Sequence, residues 1–393
     1  MKPLRIVRLL CLSIFLFQTV NSSGQEFLPY YGDIVNSCSY DTLLSNLQIF
    51  ENAGVKEVGS FAISRTLDWI ISKYESYGYT DIQEKTFEHA GLSASNIVIT
   101  KTGSRYPDTY LIIDGHYDTR RGAGANDNGS GTVSILEIAR LLKDIETEYS
   151  IKFIHFSAEE VGLIGSWHYV EHIVLPGQMD IKLVFNIDGI GGVNGLLNNK
   201  ITCDRDETGP PFTNNEASAI LTGELANCVT LYSTLTPQFG PAAASDHVPF
   251  EIRNFVITGF YESNISPYNH SSDDVIDNLD IAYIYEVTKA AIGASLHFAG
   301  AVDATSSTTK NDVLPHLIAY PNPVRDYLNV DLGATLPEVK LILTNSLGQE
   351  FFRQDYKAVD QIHLDLDEQI TGLYLLKLEL PSGESKTLII FKE

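Results

Sequence analysis

The chain has 393 residues, 44% of them hydrophobic and 20% charged, with a formal net charge of −23. That length accommodates a catalytic domain and an accessory one, and the apolar content is that of a folded soluble protein rather than a disordered one. The acidity repels phosphate backbones and anionic lipid heads, so nucleic-acid and membrane-surface binding are disfavoured.

Lys2, Arg5 and Arg8 precede an apolar run over residues 9–20 and a small polar group over 21–24. This pattern predicts a secretory signal peptide over residues 1–24, and no later stretch is long and apolar enough to span a bilayer. Cys11 leaves with that segment, so Cys38, Cys203 and Cys228 remain. Cys203 and Cys228 could pair in an oxidising compartment, and a buried free thiol is the ordinary state for Cys38.

Residues 40–78 read as largely helical, with Leu67, Ile71 and Tyr74 at helical spacing. SNIVIT at 95–100 and TYLIID at 109–114 read as strands. Strand and helix then alternate: helix 133–142, strand 151–156, helix 165–172, strand 183–187, strand 255–261 and a closing helix 280–298. Such alternation predicts an α/β domain over residues 25–301, with a mostly parallel central sheet flanked by helices. The polar run DATSSTTKND marks a linker over 302–314, and short alternating strands over 315–393 predict a small all-β sandwich.

Ligands in open α/β sheets bind at the carboxyl ends of the strands. Three predicted strands end in His116 and Asp118, in Glu159 and Glu160, and in Asp188. One such residue is ordinarily a satisfied turn residue; three in one sheet point to convergence. Carboxylates and imidazoles crowded into one pocket repel or are stranded without a cation. His with Asp and Glu, and no Cys, suits catalytic zinc. Asp127, on the Gly-rich loop GAGANDNGSG, could lie between two ions, an arrangement that supports amide hydrolysis.

Over residues 40–299 the chain resembles the M28 family of zinc aminopeptidases. The resemblance rests on GHYD at 115–118, GANDNGSG at 124–131, SAEEVGLIGS at 157–166, NIDGIG at 186–191, SDHVPF at 245–250 and HSSDDVID at 270–277. It implies a zinc-exopeptidase-like fold and two Zn2+, one held by His116 and Asp188, the other by Glu160 and His270, with Asp127 bridging. Glu159 is then the general base, Asp118 orients the His116 imidazole, and a cis peptide follows Asp127. SDHVPF would lie beside the site, either through His247 or with Asp246 merely capping a helix. Family members commonly carry Tyr directly before the last histidine ligand as an oxyanion donor. Here Asn269 holds that place and Tyr268 lies one residue earlier, so either could serve.

The implied activity is removal of N-terminal residues from peptides. Glutaminyl cyclases and carboxypeptidases share the fold and are the alternatives, with a non-catalytic surface-binding protein the remaining one. His168, Glu171 and His172 form a rival H-x-x-E-H pattern, but on a helix packed to the sheet by Trp167 and Val170 they lack a third ligand. In the C-terminal part, YPNPV at 320–324, NSLGQE at 345–350 and ITGLYLLKLE at 370–379 are similar to the sorting domain of the type IX secretion system of Bacteroidetes. That similarity implies a secretion-machinery partner and a destination outside the cell or on its outer surface.

Overall fold

The computed structural model describes residues 26–207, 210–303, 317–320, 324–345, 349–367, 369–370, 372–382 and 385–392. The expected signal peptide and nearly all of the expected linker lie outside them. The described chain falls into two compact units, the larger an α/β domain and the other an antiparallel β domain.

The α/β domain holds one eight-stranded sheet in the order β1-β2-β4-β3-β5-β8-β6-β7. Its strands are β1 (Ile82–His89), β2 (Leu92–Lys101), β3 (Tyr106–His116), β4 (Tyr149–Phe156), β5 (Asp180–Ile187), β6 (Lys200–Arg205), β7 (Thr236–Pro241) and β8 (Ile257–Glu262). The central run β4-β3-β5-β8 is parallel. β1 and β2 extend it antiparallel at one edge, and β6 pairs antiparallel with β8 and parallel with β7 at the other.

Alternate residues of the central strands point to opposite faces, and both faces are covered. Leu111, Ile113, Phe153, Leu183 and Phe185 join one apolar cluster, whereas Ile112, Ile154 and Val184 join another. This is why those strands read as unbroken apolar runs. Each such side chain contributes about 1.5–3 kcal/mol of transfer free energy when fully buried. Helices Gly131–Leu142 and Ile281–Ala299 fill the first cluster, while Tyr169, Val170 and Val174 carry the second. Trp167, expected to pack there, is only half-buried and lies under the Arg253 guanidinium.

Helix boundaries follow side-chain caps. The expected helix over 40–78 divides into Tyr40–Asn52 and Phe61–Ser76, because Gly54 and Gly59 take left-handed φ values of 84° and 80° between them. Ser39 caps the first through Thr42 N and Ser60 caps the second through Ile63 N. Asp280 caps the closing helix through Tyr283 N. Cys38, Cys203 and Cys228 are all buried thiols outside any disulfide, so the considered Cys203–Cys228 bridge is absent.

The β domain contains β9 (Ile318–Tyr320), β10 (Tyr327–Asn345), β11 (Glu350–Asp365), β12 (Gly372–Glu379) and β13 (Ser385–Lys392). All ladders are antiparallel, in the order β11-β10-β12-β13 with β9 on β10, giving a half-barrel sheet. Segments that read as separate short strands are one 19-residue strand, β10. Its register on β11 shifts between Asp331 and Leu336, where Gly333 at φ 70° donates its N–H to Asp331. Alternating Leu328, Val330, Leu341 and Leu343 face the core of this unit.

Candidate metal centre

Three neighbouring parallel strands end side by side. β3 ends at His116, β4 leads into Glu159 and Glu160, and β5 into Asp188. The turn after β4 brings two consecutive acids to one place: Ala158 adopts φ 61° and Gly162 φ 114°. Gly165, also expected to turn the chain, instead lets it pack, since a Cβ there would lie 2.1 Å from the Ser157 carbonyl oxygen.

The loop bearing Asp127 is stitched to the others by its own side chains. Asn128 donates Nδ2 to the Ile187 carbonyl at 2.9 Å, and its Oδ1 accepts from Gly131 and Gly189 N–H. Ser130 Oγ accepts from Ile190 N at 2.9 Å, and Thr132 Oγ1 donates to the His116 carbonyl at 2.9 Å. Asn126 binds Gly191 N through Oδ1 and donates Nδ2 to Glu262 and Asn269. Asp274 accepts the backbone N–H of Asn126 at 2.6 Å and of Asp127 at 3.1 Å. The peptide between Asp127 and Asn128 is cis.

Two groups of donor atoms result, His116 with Glu159 and Asp188, and Asp127 with Glu160 and His270. His116 Nε2 lies 3.3 Å from Asp188 Oδ1 and 3.2 Å from Asp127 Oδ1. His270 Nε2 lies 3.1 Å from Asp127 Oδ2 and 3.0 Å from Glu160 Oε2. The two oxygens of Asp127 thus face one histidine each. Glu159 Oε2 stands farther back, 4.0 Å from His116 Nε2. His116 Nε2, Asp188 Oδ1 and Glu160 Oε1 are buried without a directed hydrogen bond among the described residues. Buried polar atoms of this kind, oxygen and imidazole donors with no thiolate, fit zinc.

The electrostatics agree with a cation site. Burial, reinforced by Asp246 and Asp188, pushes the Glu159 carboxyl up to about 10 against the pull of His116. Burial and the Asp127 charge push Glu160 up to about 7. Burial opposes ionisation of Asp127 as well, yet the adjoining His116 and His270 imidazoles hold it below the usual carboxylate range. A divalent cation relieves such crowding by taking the place of protons.

The Asp118 carboxylate lies 3.7 Å from His116 Nδ1, whereas the Asp118 carbonyl oxygen lies 3.0 Å away and orients the ring. The carboxylate instead accepts Glu159 N–H at 3.1 Å and Glu160 N–H at 3.2 Å. The cavity of about 510 Å3 over the site is lined by Tyr261 and Asn269 but not by Tyr268. Tyr261 lies on β8 with its ring against Gly189, where a Cβ would come within 3.0 Å of it. Asn269 spends its Oδ1 on Asn126.

SDHVPF reaches the site through Ser245, whose hydroxyl donates to Asp188 Oδ2 at 2.7 Å. Asp246 does not cap the following helix, whose N-cap is His247 without a side-chain bond. The rival pattern is spent elsewhere: His168 stacks on Phe87 and Glu171 pairs with Arg253. Sequence reasoning missed Tyr261, Ser245, Asn126, Glu262, Asp274 and Arg120. Only Ser245, Asn126 and Asp274 carried a signal, since they lie inside the recognised motifs.

The fold and site define an α/β protein with two groups of candidate metal-binding residues at the carboxyl ends of its parallel strands. The pattern of peptidase family M28 matches residues 96–295, half of the chain, and that of the secretion system C-terminal sorting domain matches residues 318–392. The chain belongs to peptidase family M28. It is 30% identical over 220 residues to aminopeptidase YwaD of Bacillus subtilis, covering 53% of this chain and 46% of that protein. The chain thus spans less than half the length of the first curated relatives it matches. The Legionella pneumophila LapA aminopeptidase superposes with a TM-score of 0.60 at 23% identity, covering 71% of this chain and 77% of that one. A Bacteroides thetaiotaomicron glutaminyl cyclase bound to N-acetylhistamine superposes at 0.55 with 17% identity, covering 65% and 97%. The fold therefore does not discriminate hydrolysis from cyclisation.

Proposed function

We propose that this chain is an exported two-zinc aminopeptidase. The observation that carries the reading is Asp127, whose two oxygens lie 3.2 and 3.1 Å from histidines of separate donor groups. His116 and Asp188 would hold one zinc, Glu160 and His270 the other, with Asp127 between them. When bound, the ions supply Lewis acidity that polarises a peptide carbonyl and acidifies water.

Glu159 takes the proton from the attacking water and returns it to the leaving nitrogen. Its withdrawal to 4.0 Å from His116 supports the role of base over that of ligand. Asp118 fixes the backbone of Glu159, and Ser245 fixes which oxygen of Asp188 faces the site. Tyr261 is the phenol that donates to the oxyanion, because it lines the cavity and Tyr268 does not. The name aminopeptidase borne by the relatives supports an exopeptidase acting on free N-termini. The match to a sorting domain supports export by a secretion machinery to the cell surface or beyond. The domain limits proposed are 1–24 signal, 25–301 peptidase, 302–314 linker and 315–393 sorting domain.

The test is elemental analysis of the purified protein and its Glu159→Gln variant, with hydrolysis of aminoacyl amides carrying free or acetylated N-termini. About two zincs in both proteins, with cleavage of free-amine substrates by the parent alone, is expected. Cleavage indifferent to acetylation, or a Glu159→Gln variant as active as the parent, refutes it.

A further inference from the structure

Arg120 stands apart from everything around it. The cavity over the site is lined by the carboxylates Asp127, Glu159, Glu160 and Asp188, and Arg120 is the only lysine or arginine among its lining residues. Among the described residues its guanidinium makes no hydrogen bond or ion pair, and it is exposed at the cavity wall near His270. Two divalent ions balance the four carboxylate charges, so with the site loaded Arg120 tips the cavity to net positive.

Its base is fixed. Thr119 Oγ1 donates to the Gly122 carbonyl at 2.9 Å, closing the turn that carries Arg120. Thr119 N–H donates to the Lys56 carbonyl at 3.2 Å and Lys56 N–H to Thr119 Oγ1 at 2.9 Å. Gly122 packs so closely on Ser271 that an added Cβ would overlap its carbonyl oxygen. A long cation on an anchored turn, without a protein partner and beside a reaction centre, fits a carboxylate of the ligand, for which the guanidinium fork is suited.

We propose that Arg120 is a specificity-determining residue that recognises a carboxylate on the residue following the scissile bond; this rests on the aminopeptidase reading above. The carboxylate could be the α-carboxylate of a dipeptide or the side chain of Asp or Glu in a longer peptide. The remaining lining residues include Leu163, Ala243, Ala244, Tyr261 and Ile265, which offer the N-terminal side chain an apolar surface and no second cation.

The zinc-loaded full chain is assayed with two substrate pairs, Leu-Ala against Leu-Ala-amide and Leu-Asp-amide against Leu-Asn-amide. The parent should favour the carboxylate member of at least one pair by about five- to tenfold in kcat/KM, expressed in KM, as a solvent-accessible charge-assisted hydrogen bond provides. Whichever pair shows the preference identifies the source of the carboxylate. Arg120→Gln should bring that ratio to about one by weakening the carboxylate member, Arg120→Lys should restore part of it, and Arg121→Gln should leave it as in the parent. A ratio near one in the parent, a ratio that survives Arg120→Gln, or a preference that follows an acidic N-terminal residue instead, overturns the proposal. Calorimetric binding of the same pairs to zinc-loaded Glu159→Gln, with and without Arg120→Gln, reads recognition without turnover. An Arg120-dependent binding preference with no cleavage by the parent leaves carboxylate recognition standing and fells the peptidase reading; equal binding of both members fells the Arg120 proposal itself.

Discussion

Replacing Asp118 by Asn tests how the double acid is held. The wild-type carboxylate is buried and accepts two backbone N–H groups, from Glu159 at 3.1 Å and Glu160 at 3.2 Å, one on each oxygen. Asparagine keeps the shape but offers one acceptor; its amide nitrogen would confront the other N–H, leaving a buried donor unmatched. A hydrogen bond to a charged acceptor contributes about 1.5–3 kcal/mol, and an unsatisfied buried donor costs about 1–3 kcal/mol, so a loss of about 2–4 kcal/mol in stability is expected. Misplacing Glu159 by ~1 Å is worth about 100-fold in kcat. The assays are denaturant midpoint, kcat with a free-amine aminoacyl amide, and zinc content. Zinc bound through His116 should persist, because the ring is oriented by the Asp118 carbonyl oxygen, which the substitution leaves in place. Loss of one zinc with the denaturant midpoint unchanged would show that the carboxylate serves His116 after all, and would sink the reasoning.

Tyr261→Phe should lower kcat by about 100-fold with KM nearly unchanged, while Tyr268→Phe stays near parental activity; steady-state kinetics on both variants decides between the two phenols. The buried thiols of Cys38, Cys203 and Cys228 should resist a thiol-reactive disulfide reagent in the native protein and react once it is unfolded without reductant. Rapid native labelling, or no labelling after unfolding, contradicts the buried, reduced state. Burial holds the Lys56 amine down to about 7 from 10.5, so between those pH values the unfolded chain binds a proton that the folded chain does not. Its contribution to stability therefore rises with pH across that window, and Lys56→Met should flatten the stability–pH curve there by at most about 1.4 kcal/mol per pH unit. Parallel curves for the two proteins, from denaturant titrations at pH 7 to 10, would refute a neutral buried lysine.

What could be read in advance follows from where the chain is buried on both faces. β3, β4 and β5 lie at the sheet centre, so each is an apolar run with a conspicuous polar residue at or just past its end, and the candidate site residues announce themselves. The edges do not. β1, IQEKTFEH, is half-exposed and polar, and β7 carries Pro237 and Pro241, which edge strands tolerate and sequence patterns take for loops. Residues 191–244 hold β6, β7 and helix Asn215–Tyr232, the last with apolar residues interrupted by Gly223 and several Thr and Ser, so no clean period marks it. Tyr261 and Arg120 were illegible because their significance arises only when β8 and the turn after β3 meet around one cavity. The role of Asp118 came with the family resemblance, and no sequence pattern foretells that its carbonyl oxygen lies nearer the His116 ring than its carboxylate.

The link between Lys56 and the ligand loop has a further consequence. Its side-chain nitrogen donates to the Gly54 carbonyl at 2.8 Å and to the Ala123 carbonyl at 2.7 Å, beneath the Phe50 ring. A residue between the first helices thereby abuts the very turn that leads to Asp127. The N-terminal helices, which contribute no atom to the cavity, buttress this loop from below, Lys56 against the turn and Phe50 against Gly129. Trimming the chain to remove them would leave the sheet its strands and take away the support beneath the turn that leads to Asp127.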